Sequence, residues 1–137
     1  MLFRSTGASH GTAGAVTRPK TAPVVLDLTL PPGSSFDAEL PAGHNAFAYV
    51  FGRTPVAIGG AGAAAIEPDR MAILANDAGS DGVRFSVAAD AAEPARVLVV
   101  AGHPLAEPIA QYGPFVMNTT AELQRAVQDF QSGAFAR

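Results

Sequence analysis

"GVRFSVAADAAEPARVLVVAG", Gly82–Gly102, decides the class of fold. In its first part Val83, Phe85 and Val87 alternate with Arg84 and Ser86, the period of two that sets one strand face inward and the other toward water. After a turn, "ARVLVVAG" is the most apolar run in the chain, as expected of a strand covered on both faces. The pair predicts a β-sheet with Ala95–Gly102 at its centre.

Working outward, the same signals recur. "VVLDLTL", Val24–Leu30, mixes β-branched and apolar residues with Asp27 and Thr29 and stops at Pro31-Pro32-Gly33, a half-buried strand ended by a turn. A second strand is expected from Ser35 to Leu40. "NAFAYVF", Asn45–Phe51, sets Phe47, Tyr49 and Phe51 on one face and Ala46, Ala48 and Val50 on the other, so both faces can be covered. "PVAIGG" and "MAILAN" add short strands. Six to eight strands at roughly ten-residue spacing, with turns between, predict an antiparallel sandwich or barrel. Residues 1–22 look like a linker, small and polar, with Pro19 and Pro23 resisting helix. Leu2-Phe3-Arg4-Ser5 is also what the end of a common sequencing adapter encodes in frame, so we expect part of this stretch to be artefactual and the natural protein to extend upstream.

Composition narrows the function. The 137 residues carry a net charge of −3 and no cysteine, with 14 glycines and 11 prolines. Without a basic stripe, phosphate neutralisation is not on offer, and nucleic-acid binding by this chain is not expected. Lack of cysteine removes disulfides and thiolate sites and fits a reducing compartment, so a cytoplasmic location is expected. No run reaches the length of a membrane span, and the N-terminus lacks the apolar middle of a signal peptide.

Motifs that could carry chemistry are few. His10, His44 and His103 are widely separated, and none forms the close pair that usually anchors a metal site. Gly60, Gly62 and Ala65 satisfy a dinucleotide-loop spacing, but Pro68 arrives before a helix can form to face a pyrophosphate. "AGSDG", Ala78–Gly82, lacks the first glycine of a nucleophile elbow and reads as a turn. Glu39 and Glu67 stand without an evident partner. No residue qualifies as catalytic, cofactor-binding or metal-ligating.

The end of the chain differs in kind. An uncharged loop bearing Tyr112, Phe115, Val116 and Met117 precedes a helix announced by Thr119 and Glu122, the capping-box pair, and striped by Leu123, Ala126, Val127 and Phe130. Gly133 supplies its stop. So short a helix must dock to persist. So apolar a loop marks a contact.

This segment, with Gly102, Pro104, Leu105, Glu107, Pro108, Ile109 and the run Gly113–Thr119 in place, resembles the C-terminal signature of the pirin family. "VTRPKTAPVVLDLTLPPG" and "ELPAGHNAFAYVF" are weaker echoes of the same domain. The resemblance implies an all-β cupin (double-stranded β-helix, or jelly-roll barrel) over residues 23–137, with one C-terminal helix. It also implies a partner, the N-terminal cupin domain of the same protein. There three His and one Glu hold iron or another divalent metal, and some bacterial members oxidise quercetin. This chain would then be the metal-free half, with Tyr112, Phe115, Val116 and Met117 covering the barrel or meeting the partner domain. Where a cupin places its paired histidines this chain has Glu39-Leu40-Pro41, so the family's ligands cannot be carried over. The alternative is a module that meets a partner protein, as in animal members acting as transcriptional cofactors. A small ligand held by this barrel itself is a third reading that the residues leave open.

Overall fold

The structure, a computed structural model, describes residues 2–6, 8–9, 11–14, 16, 18–77 and 79–134. In chain order the strands are β1 (Leu2–Thr6), β2 (Ala8–Ser9), β3 (Thr12–Ala13), β4 (Val24–Leu30), β5 (Ser35–Glu39), β6 (Asn45–Phe51) and β7 (Val56–Ile58). There follow β8 (Ala65–Ile66), β9 (Arg70–Leu74), β10 (Gly82–Ser86), β11 (Ala95–Gly102), β12 (Ala110–Tyr112) and β13 (Phe115–Met117), then helix α1 (Thr120–Gln131). The chain divides into two compact units, 1–104 and 105–137.

The first unit is built from a five-stranded sheet in the order β1-β4-β11-β6-β9 and a four-stranded sheet in the order β5-β10-β7-β8. Every described pairing is antiparallel. The apolar strand β11 lies at the centre of the larger sheet, as its sequence predicts, paired along its whole length with β4 and β6.

Period-two patterning fixes which residues meet between the sheets. Leu26, Leu28, Ala48, Val50, Val97 and Val99 point inward from the larger sheet, and Ala38, Val56 and Phe85 answer from the smaller one. All are almost wholly buried. Thr54, the one buried hydroxyl among the described residues, is satisfied by donating to the Glu93 carbonyl at 2.9 Å.

Two expectations need correction here. The stretch expected to be linker contributes β1, which pairs with β4 and forms an edge of the larger sheet. The small β2–β3 hairpin lies beside it in sequence. Composition concealed this, because an edge strand takes its place from the partner's free backbone groups rather than from its own apolar pattern. The aromatic loop before the helix is the β12–β13 hairpin, with Tyr112 opposite Phe115 and Ala110 opposite Met117. Gly113, at φ +55°, takes the first turn position, and Pro114 with its fixed φ takes the second, the pattern of a type II′ hairpin.

In the second unit α1 lies against both strands of that hairpin. The capping box forms: Thr119 Oγ1 accepts from the Glu122 N–H at 3.2 Å, and Glu122 Oε2 accepts from the Thr119 N–H at 2.8 Å. At the other end Ala134 N–H donates to Asp129 O and Gly133 N–H to Phe130 O, a Schellman closure with Gly133 at φ +72°. Leu123 and Ala126 are buried, and Phe115 meets Phe130 edge to face at 5.7 Å. Thr119→Ala is expected to lower the stability of this unit by about 1 kcal/mol, read as earlier loss of helical circular dichroism in urea.

Candidate functional site

Three regions offer surface chemistry. The first is the outer face of the larger sheet. Register aligns Val100, Phe47 and Ile73 across β11, β6 and β9, and Leu98, Tyr49 and Met71 two residues along. Met71 is 56% and Ile73 80% exposed, and the others are half-buried. The row ends in polar anchors: Arg96 stacks over the Phe51 ring at 4.3 Å and pairs with Asp27 at 3.1 Å, while Tyr49 Oη donates to Asp69 at 3.3 Å. Sequence reading placed Phe47, Tyr49 and Phe51 on one face but missed Met71 and Ile73. The signal lay in "RMAIL", whose alternate residues match theirs in register.

The second region is the hairpin and helix of the second unit. Of the four residues expected to make a contact, Tyr112 and Val116 are exposed, Tyr112 at 70%, whereas Phe115 and Met117 are half-buried. Ile109 is 80% and Phe130 63% exposed. Ile109, Tyr112, Leu123 and Val127 border an open groove of about 750 Å³ whose other members are uncharged. Asn118 is held by Glu107 at 2.9 Å, which ties the start of the hairpin to the foot of the helix.

The third region is a cavity of about 310 Å³ in the first unit, bounded by Leu40, Pro41, His44, Ile58, Leu74 and Val83. Structure brings His44 and His103 together, with ring centroids 6.1 Å apart and planes crossed at 80°. His10 lies outside the described residues. His44 is only 9% exposed, and its Nδ1 is closed off from solvent with no hydrogen-bond partner among the described residues. Burial first, and then the charge of His103, hold the His44 pKa below its ordinary value.

These donors do not make a metal centre. A catalytic ion needs at least three convergent nitrogen or oxygen ligands and an open position. Among the described residues no group of three or more His, Asp or Glu is placed to hold one. Glu39 is exposed, and Pro41 at the cavity wall offers no ligand. His44 Nδ1 is closed off from solvent, with no hydrogen-bond partner among the described residues. The Gly60–Ala65 stretch joins the paired strands β7 and β8 and opens no helix, so it forms no phosphate cradle. Residues 79–81 lead into β10 as a turn. No helix among the described residues is long and apolar enough to cross a membrane.

Comparison with known proteins agrees with this architecture. A family model described as the Pirin C-terminal cupin domain matches residues 25–136. A Pseudomonas aeruginosa protein, named provisionally as a quercetin 2,3-dioxygenase, is 41% identical over 123 residues, covering 90% of this chain and 40% of its own. Human pirin is 36% identical over 116 residues, covering 82% and 37%. A solved structure of a quercetin 2,3-dioxygenase from Acinetobacter baumannii superposes with a TM-score of 0.78 at 35% identity, covering 98% of this chain and 43% of that one. The chain thus spans about two fifths of the length of the curated relatives it matches.

Proposed function

The chain belongs to the pirin family through its C-terminal cupin domain, and from that premise we propose that it is the supporting, metal-free half of a two-barrel protein. The other half, an N-terminal cupin, carries the iron or other divalent metal and any quercetin 2,3-dioxygenase-like oxidation. The observation that carries this reading is the donor inventory: two histidines meet, but no third ligand joins them among the described residues.

Two apolar surfaces support a docking role. A partner barrel would cover Met71 and Ile73 on the outer sheet face, which water otherwise meets. Tyr112, Phe115, Val116 and Met117 would form a further contact, stiffened by Pro108 and Pro114 so that little entropy is lost on docking. Absence of cysteine supports a cytoplasmic setting.

The test is reconstitution. The purified chain is mixed with the separately produced N-terminal cupin of the Pseudomonas relative, and sedimentation and oxygen uptake with quercetin are followed. The expected result is no turnover by the chain alone and a one-to-one complex with the partner. Ile73→Glu should weaken that complex by tenfold or more, roughly the loss of one anchor residue. Turnover by the isolated chain would overturn the reading.

A further inference from the structure

The imidazole pair of the first unit has no part in that proposed role. Strands β6 and β11 pair with Gly102 opposite Asn45, so one residue further His103 stands opposite His44. Three pieces of backbone converge there. The turn before β6 closes through His44 N–H to Pro41 O at 3.2 Å. His103, leaving β11, donates its N–H to the Thr21 carbonyl ahead of β4 at 2.8 Å. At Pro104, the next residue, the first unit ends.

His44 is nine-tenths buried while His103 is exposed. A neutral imidazole in the place of His44 is least costly with its proton on Nε2, leaving Nδ1 a bare acceptor. Protonation puts an N–H on Nδ1, in a spot that is closed to water and has no acceptor among the described residues. Among the described residues that line the cavity, none carries a compensating charge. The cavity-lining residues from β6, β7, β9 and β10 are uncharged. Glu39 at the end of β5, and Asp77 and Asp81 in the loop before β10, are all exposed. Across the strand pair stands only the second imidazole.

We propose that His44 and His103 form an acid-released latch. Neutral, the pair holds the start of β6 to the end of β11; protonated, it opens that end of the barrel and loosens the segment through which the chain leaves the first unit. Like charges directly opposite on neighbouring strands are destabilising, and the buried imidazolium reaches water only by leaving its place.

The direction follows from linkage. The opened state takes up its proton at the ordinary histidine value of about 6.5, and the closed state does so only at lower pH. Opening is therefore unaffected well above about pH 6.5 and grows by up to about tenfold for each pH unit below it.

Amide hydrogen exchange on the whole chain tests this, with protection factors compared at pH 7.5 and 5.5. The expected result is a fall of about tenfold at the amides of His44 and His103, with those of Val97 and Val99 in the middle of β11 holding. His44→Phe keeps a ring without a titratable nitrogen and should abolish the fall at His103. Should that variant fail to fold, a carbon-13 titration of the wild-type His44 imidazole decides: it must titrate below the ordinary histidine value of about 6.5, together with the loss of protection. An equal fall in the variant, a uniform fall along β11, or His44 titrating at or above about 6.5 with protection intact would each overturn the latch.

Discussion

Phe85→Ala is expected to cost about 3–5 kcal/mol of stability, measured by urea unfolding of the purified chain. Phe85 has no exposed surface and is the largest wholly buried side chain among the described residues. It projects from β10, which lies between β5 and β7, and reaches the core made by Ala38, Val56 and the inner residues of the larger sheet. Truncation removes a ring's worth of burial and leaves a void between two sheets that are each fixed by their own ladders, so the site cannot collapse to refill it. Against a total stability of about 5–15 kcal/mol for a domain, that is a large share. A loss under about 1 kcal/mol would mean that the two sheets do not meet as described.

Gly82→Ala is the second large effect, and it works by crowding rather than by emptying. Gly82 opens β10 opposite Glu39 of β5. A Cβ there would run into the Ala38 carbonyl oxygen and stand 3.3 Å from its carbon. Backbone cannot swing aside as the tip of a side chain can, so the β5–β10 ladder must shift. The expected cost is about 3 kcal/mol, at the upper end of overpacking effects. Amide protection in β5 should fall while that in β4 and β11 is retained. Gly113→Ala is a useful contrast, since open space surrounds that site and only the left-handed turn is strained. A neutral Gly82→Ala would show that β5 and β10 approach less closely.

What could be read from the residues alone follows from where each signal is stored. β4 and β6 have the bounds their sequences predict, because alternation over seven residues is long enough to fix both face and limits. The helix was equally plain, since its two ends are written in Thr119, Glu122 and Gly133. β12 and β13 are three residues each, too short for a period to emerge, and the Gly113-Pro114 turn looked like loop. β1 carries little pattern of its own and is defined by the partner it pairs with. The candidate site was the least legible. His44 and His103 are far apart in the chain and meet only because β6 and β11 pair in one register. Met71 and Ile73 become a surface only when β9 is laid beside β6. Both depend on long-range pairing, which no local pattern encodes.

The central proposal is that the described residues of this barrel offer no set of side chains able to hold a divalent ion, so that any oxidative chemistry would belong to a partner domain. Metal content tests it most directly. The purified chain is incubated without oxygen in turn with iron(II), nickel(II), manganese(II) and zinc(II), desalted, and analysed by plasma mass spectrometry. We expect far less than one equivalent of any of them. One equivalent that survives desalting and is lost on His44→Phe would contradict the account.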